Sequence, residues 1–347
     1  MTGTGAPDLQ HAQSDIAPED WDAFVYHSPE ASHAHLAGWG RVFREVFGHP
    51  TRYWVARHGD GTIAAVLPVT LVRSRLFGRH AVSVPFLNAG GPVGESAALA
   101  PLVEAAVQTL SAEGYHAVQL RCRHPVPIAY PARVEKVTVT MPLAATPEAQ
   151  LQRFSGKLRS QIRRAGKEGA TTRHGPEALA GFHAVFREHM RDLGTPAMPL
   201  AFFTTVADVF ADDVRIVTVE HDGHAIAGGF GFRWRDAFEI TWASSLLRYK
   251  RMAPNMLLYW ACMTECIADG VSLFDFGRTT PGSGPHQFKR QWSDQEVPLP
   301  WIEAGGGAEV ARPKKEAGHF QMAARLWRRL PLAIATPLGG RIVRGIP

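Results

Sequence analysis

Two stretches of this 347-residue chain follow the same order of predicted elements, and this repeat constrains the fold more than any other feature. Each half has a strand, a Gly-containing turn, a returning strand, and later a helix that ends at a glycine before an apolar strand. The turn glycines, Gly61 and Gly223, lie 162 residues apart, and the helix-ending glycines, Gly114 and Gly270, lie 156 apart. Because similar spacings at two landmarks indicate a duplication, we predict two tandem α/β domains, each with a mixed sheet flanked by helices.

Apolar alternation with period two predicts the strands, and a 3.6-residue period with capping signals predicts the helices. In chain order these are strands 53–57 and 62–72, helix 97–112, strands 115–120, 214–220, 225–234 and 237–243, helix 255–268 and strand 271–276. Pro142, followed by an N-cap at Thr146 and Pro147, indicates a domain boundary. We therefore predict a disordered N-terminus (1–15), a first domain (16–145), a second domain (146–311) and a basic amphipathic tail (312–347).

The positive charge of the chain is concentrated in its last tenth. The net charge is +5, but residues 312–347 hold eight Lys or Arg and one Glu, so the rest of the chain sums to −2. A slightly acidic main body speaks against a DNA-binding protein, and we expect no DNA partner. The tail, with Trp327 among its arginines, either docks on the second domain or contacts an anionic membrane surface.

Cysteine usage and the N-terminus both favour a cytoplasmic protein. Cys122, Cys262 and Cys266 are too few for a disulfide framework, and no His or Cys cluster near them completes a metal site. Residues 1–13 lack the basic start and apolar core of a signal peptide, and no window of about 18 apolar residues occurs. We expect no metal, and at most a peripheral contact with the inner face of a membrane.

The helix predicted from Thr146 carries an unusual excess of positive charge. Its apolar stripe consists of Leu151, Phe154, Leu158, Ile162 and Ala165, and its other faces hold Arg153, Lys157, Arg159, Arg163, Arg164 and Lys167. Like charges on one helix repel each other unless an anion is near. Two interpretations stay open: Arg159, Arg163 and Arg164 bind a phosphate-bearing substrate (a pyrophosphate-linked sugar, a CoA or a tRNA), or the face is simply solvated.

A second basic cluster immediately precedes the helix predicted at 255–268. Arg248, Lys250 and Arg251 come just before it, and Asn255 lies at its start. Backbone N–H groups at a helix N-terminus attract anions, and neighbouring cations strengthen that attraction. We predict that these four residues bind phosphate or carboxylate groups.

The most specific segment runs from 274 to 292. An apolar strand delivers Asp275 and Arg278 to its C-terminal end, a Gly/Ser/Pro loop follows, and Phe288-Lys289 returns to the fold. The Asp-Phe-Gly triplet within it has none of the partner motifs of a kinase. The segment therefore offers a carboxylate and two cations at one strand end.

Several motifs of the chain, in this order, resemble the FemAB-related proteins, and most of all the branch associated with exosortase/PEP-CTERM systems. They are His35-Leu36-x-x-Trp39, Phe47-Gly48-His49, Pro85-Phe86-x-Asn88-x-Gly90-Gly91, the helix 157–169, Phe-Asp-Phe-Gly-Arg at 274–278 with Phe-Lys-x-x-Trp at 288–292, and Trp-Arg-Arg-Leu-Pro at 327–331. The resemblance extends over residues 21–338. It implies two tandem GNAT-like (acyl-CoA N-acyltransferase-like) domains, the second of which carries the active site.

The resemblance also implies an activity. FemAB proteins transfer amino acids from aminoacyl-tRNA to the peptide of a peptidoglycan precursor. We therefore expect direct transfer of an acyl or aminoacyl group onto an amine of a peptidoglycan- or exopolysaccharide-related precursor, without a covalent enzyme intermediate. In the expected site Lys289, Asp275 and Arg278 are catalytic, and Lys289, which matches the family's Phe-Lys motif, stabilises the oxyanion. Asp275 relays a proton, orients Arg278 or caps the loop after it.

The expected substrate contacts are Arg159, Arg163, Arg164, Arg248, Lys250, Arg251, Asn255, Gly277, Ser283, Phe288 and Trp39. The donor stays open between acyl-CoA and aminoacyl-tRNA, with no tightly bound cofactor. The Gln/Arg-x-x-Gly-x-Gly/Ala signature of CoA users is absent, and residues 146–214 show no paired-helix arm of the kind several tRNA-using members carry. The alternative function is an inactive GNAT-like protein that binds an envelope glycan or a membrane-associated partner.

Overall fold

The computed structural model describes residues 9–74, 78–305 and 318–346. Its elements, in chain order, are β1 (Gln10–Gln13), α1 (Pro18–His27), α2 (Gly38–Phe47), β2 (Thr51–Arg57), β3 (Ile63–Ser74), β4 (Gly78–Val82), β5 (Val93–Gly94), α3 (Ser96–Ala112), β6 (Val118–Arg121), β7 (Ala132–Pro142), α4 (Pro147–Arg153), α5 (Gly156–Lys167), β8 (Thr171–His174), α6 (Leu179–Leu193), α7 (Leu200–Val209), β9 (Val214–His221), β10 (His224–Trp234), β11 (Ala237–Ser245), α8 (Pro254–Ala268), β12 (Leu273–Thr279), α9 (Gly284–Lys289), β13 (Gln295–Ala304), α10 (Gly318–Trp327) and α11 (Leu332–Val343). Short 3-10 segments lie at His33–His35, Pro176–Ala178 and Leu247–Met252. No described helix is both long and apolar enough to cross a membrane.

The chain divides into two compact units. Unit 1 contains the described residues up to Glu135, those from Pro298 to 305, and 345–346, and unit 2 contains 136–297 and 318–344. This division falls at Glu135/Lys136, inside β7, rather than at the predicted 145/146, and the predicted second domain loses its last strand to unit 1. The small residues that suggested a boundary follow a strand that already belongs to unit 2.

Each unit is built on a mixed sheet. The strand order in unit 1 is β1-β2-β3-β4-β6-β13, with β5 on β3, and in unit 2 it is β7-β12-β11-β10-β9-β8. Among the described strand pairs of each sheet one is parallel, β4 with β6 in unit 1 and β11 with β12 in unit 2. The predicted α/β class with mixed sheets and flanking helices is confirmed.

Helices cover the sheets because their apolar faces match. In unit 1 the α3 side chains Leu99, Leu102, Val103 and Ala106 join the core formed by β2, β3 and β6. In unit 2 neighbouring residues of β10 face opposite sides of the sheet: a Cβ at Gly228 would lie 3.0 Å from Phe182 of α6, whereas one at Gly229 would meet Leu258 of α8. Glycine at 228 therefore allows α6 to approach the strand closely.

Three local predictions need correction. The predicted disorder over 1–15 does not hold for Gln10–Gln13, which pair with β2, because backbone pairing does not require an apolar pattern; residues 1–8 lie outside the described part. The single basic helix from Thr146 is two helices, because the Ser155 hydroxyl accepts from Leu158 N and begins a new one. The predicted loop before Lys289 contains the short helix α9, which Ser283 caps.

Candidate active site

The site lies where the parallel strands β11 and β12 separate. They pair only over Ala237–Glu239 and Leu273–Asp275, although β11 continues to Ser245 and β12 to Thr279. Both strands are irregular beyond that point. The register of β11 with β10 shifts at Thr241, and that of β12 with β7 shifts between Asp275 and Arg278. Strands that diverge leave backbone groups and side chains at the bulges open to a ligand.

Asp275 holds the bulge of β12 together. The side chain is 2% exposed, and its Oδ1 accepts hydrogen bonds from the Thr138 hydroxyl of β7 and from Gly277 N at 2.8 Å. Gly277 has a φ of 71°, a left-handed conformation that glycine adopts without strain. The carboxylate of Asp275 therefore caps the turn that follows it, which is one of the three roles left open for this residue.

Lys289 occupies the other side of this bulge. It ends α9, is 7% exposed, and its Nζ donates to Gly277 O at 2.6 Å and to Arg278 O at 3.0 Å. An ammonium group has three N–H donors, and no third acceptor is found among the described residues. Burial lowers the pKa of Lys289 to about 8, while the carboxylates of Asp275 and Glu239 oppose that shift. The ammonium is thus charged at neutral pH but almost removed from water.

Arg278 and Glu239 complete the charged cluster. Burial lowers the pKa of the Arg278 guanidinium, and the Glu239 carboxylate opposes the shift. Glu239 lies beside Asp275 in the register of the two strands, and its Oε1 accepts from the Thr241 hydroxyl at 3.3 Å. Sequence reasoning missed Glu239. The signal was a lone carboxylate alternating with Phe238 and Ile240 in a predicted central strand.

The two other predicted contacts of this segment serve the fold. The Ser283 hydroxyl donates to Thr280 O at 2.7 Å and accepts from His286 N, so it caps α9. The Phe288 ring lies 5.1 Å from the Tyr259 ring and packs against the core of unit 2. The imidazole Nε2 of His286 is 3.0 Å from Glu296 Oε1. These contacts fix the position of α9, and through it that of Lys289.

The structure brings three of the four predicted anion-binding residues together at the start of α8. No side chain caps the N-terminus of α8, and the Asn255 Oδ1 is buried there without a hydrogen-bond partner among the described residues. Lys250 and Arg251 are exposed beside it. Arg248, in contrast, pairs with Glu188 and lies over the Tyr249 ring, so its charge is already compensated.

The basic helix contributes to the same surface. The Arg164 guanidinium donates to Arg251 O at 3.3 Å, and Arg163 is exposed on the same helix. Arg159 instead donates to Phe154 O at 2.6 Å and so ties the end of α4 to α5. The structure therefore brings Arg164 to the start of α8 and gives Arg159 a role within the fold.

Trp39 does not reach any site. It belongs to unit 1, where its side chain is 2% exposed, its indole N–H donates to His33 O at 2.9 Å, and its ring stacks on Phe43. The position was assigned from a motif, and a motif does not distinguish a core tryptophan from a substrate contact. The predicted substrate role of Trp39 is not supported.

The match to a family model agrees with this geometry. Residues 152–290 match the model described as "Acetyltransferase (GNAT) domain". The matched residues all lie within unit 2. The match includes β11, β12, the start of α8, and Lys289. No curated protein matches the sequence significantly.

Solved structures share the fold of most of the chain at low sequence identity. FemX is 15% identical with a TM-score of 0.64, covering 84% of this chain and 97% of that one. The C-terminal domain (DUF2156) of a putative lysylphosphatidylglycerol synthetase from Agrobacterium fabrum is 14% identical with a TM-score of 0.53, covering 89% and 95%. A tandem GNAT protein from the clavulanic acid biosynthesis pathway is 11% identical with a TM-score of 0.52, covering 87% and 100%. The predicted tandem GNAT-like fold is confirmed.

Proposed function

We propose that this protein is a FemAB-related acyl- or aminoacyltransferase that acts directly on an amine of a cell-envelope precursor. The observation that carries the proposal is the buried Lys289 ammonium at the divergence of β11 and β12. Two of its donors are held by backbone carbonyls, which leaves one for a ligand. A positioned cation in a site with little water stabilises an oxyanion strongly.

The residues around Lys289 suit acyl transfer. A neutral acceptor amine attacks the donor carbonyl, the new C–N bond forms, and the C–S or C–O bond of the donor breaks. The Lys289 ammonium, supported by Arg278, stabilises the tetrahedral oxyanion. The Glu239 carboxylate receives the amine proton, because Asp275 is engaged by Thr138 and Gly277, and this proton then passes to the leaving thiolate or ribose oxygen. No nucleophilic side chain is needed for this route.

We place the phosphate-bearing end of the donor at the start of α8. The uncapped helix N-terminus, Lys250, Arg251 and Arg164 form a cationic surface, and helix N-termini favour phosphate groups. This chemistry is shared by an acyl-CoA and by an aminoacyl-tRNA. Neither donor would be tightly bound, because both are consumed in each turnover.

An envelope acceptor is favoured by the fold relatives and by the motifs. FemX and the lysylphosphatidylglycerol synthetase domain have the fold of this chain. The order of motifs favours the exosortase-associated branch, and hence a peptidoglycan- or exopolysaccharide-related amine. The cysteines at 122, 262 and 266 are free and buried, which suits the cytoplasm, where such precursors begin.

A thermal-shift panel tests the donor part of this proposal. The full chain is heated with acetyl-CoA, a long-chain acyl-CoA, charged tRNA or a UDP-linked muropeptide. A ligand at about 100 times its Kd should stabilise the fold by about 2.7 kcal/mol. The shift with one donor should decrease in Lys250→Gln/Arg251→Gln and persist in Arg57→Gln/Arg133→Gln, a matched pair of cations in unit 1. No shift with any donor would contradict the proposal.

A further inference from the structure

Large apolar side chains are exposed in one region of unit 2. Among the described residues nine large apolar side chains are exposed, and six of them belong to α10, α11 and the neighbouring ends of α6 and α7. These six, which we call the C-terminal patch, are Leu193, Leu200, Met322, Leu326, Ile334 and Leu338. Their exposed fractions run from 39% for Leu338 to 65% for Met322. Scattered single residues would need no explanation, whereas a cluster indicates a contact surface.

The packing of α10 and α11 leaves their large apolar side chains exposed. The face of α11 turned to the protein holds Ala335, Gly339 and Val343, whereas the larger Ile334 and Leu338 point outward. A surface helix of a globular protein usually turns its large apolar residues inward. A Cβ at Gly339 would lie 3.1 Å from Ala197 N, so this close approach depends on the small residue.

The helix α10 repeats this arrangement. At the end of α6, Gly194 has a φ of 77°, and a Cβ there would come within 2.8 Å of Ala324. Arg191 donates to Leu330 O and Arg328 donates to Leu193 O, each at 3.4 Å, which ties the turn between α10 and α11 to the end of α6. Small residues thus attach the helix, and Met322 and Leu326, one turn apart, remain exposed.

The charge around the C-terminal patch is positive. Residues 318–344 contain five arginines and no Asp or Glu: Arg325, Arg328, Arg329, Arg341 and Arg344. The acidic residue nearest in sequence to Leu193, Asp192, pairs with Arg191 at 2.7 Å. Apolar side chains beside several arginines complement a surface that offers hydrocarbon beneath negative headgroups.

We propose that the C-terminal patch docks unit 2 onto the surface of an anionic lipid bilayer. With 10 and 12 residues, α10 and α11 are too short to span a membrane, so they lie in the interface. Leu326 and Leu338 enter the acyl boundary, and the arginines contact phosphate headgroups. This surface is independent of the site around Lys289.

Vesicle co-sedimentation of the full chain tests this proposal. The chain should bind vesicles of phosphatidylglycerol mixed with phosphatidylcholine, and binding should weaken as salt increases. Vesicles of phosphatidylcholine alone should retain far less protein. No binding to the anionic vesicles, or equal and salt-independent binding to both kinds, would overturn the proposal.

Two double variants test whether the C-terminal patch is the part of the chain that binds the vesicles. Arg325→Gln/Arg329→Gln should lower the partition coefficient about 30-fold, since each cation near an anionic surface contributes about 1 kcal/mol. Leu326→Gln/Leu338→Gln should lower it by about tenfold or more. Both changes are at exposed positions, so unfolding midpoints should stay unchanged. Tyr26→Gln, at an exposed apolar residue of unit 1, and Arg57→Gln/Arg133→Gln serve as matched controls.

Two further results would contradict the proposed role of the C-terminal patch in membrane binding. Wild-type binding by both patch variants would overturn the assignment. So would a dimer in sedimentation velocity that Leu326→Gln/Leu338→Gln dissociates, because the patch would then be a contact between two copies of the chain. Turnover on a water-soluble acceptor should be unaffected by the patch variants, which separates this proposal from the catalytic one.

Discussion

Each unit places a buried cation beside its parallel pair of strands, and the two cations differ in what they can do. In unit 1 the pair is β4 with β6, and the cation is Arg121, 5% exposed at the end of β6. In unit 2 the pair is β11 with β12, and the cation is Lys289, 7% exposed at the end of α9. The two cations differ in their hydrogen-bond partners, and this difference underlies the proposal that the site in unit 2 is catalytic.

Arg121 is enclosed by its own unit. Its guanidinium donates to the carbonyls of Val84 and Leu87 at 3.1 and 3.2 Å and to Gln119 Oε1 at 3.0 Å, and the Trp301 ring covers it at 4.7 Å. These contacts cover both the edge and the face of the guanidinium group. A cation held in this way stabilises the fold.

One N–H group of the Lys289 ammonium has no acceptor among the described residues. Its two carbonyl partners come from the bulge at Gly277 and Arg278, and the carboxylates of Asp275 and Glu239 favour its charged form. The difference teaches that a parallel pair alone does not identify an active site. The bulge, the neighbouring carboxylates and the unused N–H group make unit 2 the catalytic candidate.

Replacement of Lys289 should have the largest effect. Lys289→Met keeps the aliphatic chain but removes the ammonium, so turnover should fall by about 10³-fold, as when an oxyanion donor is lost. Arg121→Met, the matched change in unit 1, should leave turnover per folded molecule unchanged. Steady-state transfer assays on both variants check this. Equal losses of turnover in the two variants would show that the buried cations of the two units do not differ in function.

The pH dependence of stability should show the cost of burying Lys289. Its pKa is about 8 in the folded protein and 10.5 in the unfolded chain, so the unfolded state binds more protons between these values. The burial penalty, about 3 kcal/mol, is fully present below pH 8 and is relieved as the pH rises toward 10.5. Denaturant unfolding from pH 7 to 10.5 should therefore show a rise in wild type that is absent in Lys289→Met. If stability depended on pH in the same way in wild type and in Lys289→Met, the lowered pKa of Lys289 would be contradicted.

Glu239 should matter for transfer more than for folding. Glu239→Gln keeps the shape but removes the proton acceptor, so turnover should fall by about 10²-fold. It also removes one of the charges that raise the pKa of Lys289, so the high-pH limb of the rate profile should move to lower pH. Gln119→Leu, on the parallel pair of unit 1, is the control for turnover. An unchanged rate and pH profile in Glu239→Gln would exclude Glu239 from the site.

The smallest expected effect is on stability and concerns unit 1. Arg121→Met leaves the buried carbonyls of Val84 and Leu87 without this donor, which should lower the free energy of unfolding by about 2 kcal/mol. Urea unfolding followed by fluorescence measures it. A stability equal to that of wild type would show that Arg121 does not stabilise unit 1, and would weaken the contrast with Lys289.

The sequence predicted what local patterns encode. Strand alternation and glycine-ended helices placed the nine predicted strands and helices within a few residues, as in β10, predicted at 225–234 and observed at His224–Trp234. The strand end with Asp275 and Arg278 was predicted for the same reason. The second helix start at Ser155 was missed, because the apolar stripe continues across it.

Pairings between distant segments could not be read from the sequence. The Thr138 hydroxyl reaches Asp275 across 137 residues, and Arg248 pairs with Glu188 across 60, so neither the role of Asp275 nor the compensated charge of Arg248 follows from spacing. Glu239 approaches Lys289 only because β11 and β12 pair in parallel. Trp39 shows the opposite error, since a recognised motif residue turned out to be core.

The most direct test is whether the protein forms a new amide bond. Purified wild-type protein is incubated with a UDP-linked muropeptide or an amine-bearing exopolysaccharide precursor and with each donor in turn, and the acceptor is weighed by mass spectrometry. We predict a gain of one acyl or aminoacyl residue from one donor class, joined to the acceptor amine by a new amide bond. An acyl group removes one free amine from the acceptor, whereas an aminoacyl group replaces it with its own. If a donor stabilises the fold but the mass of the acceptor stays unchanged with every donor, the proposed transferase activity would be contradicted. The alternative function, a binding protein, would then be favoured.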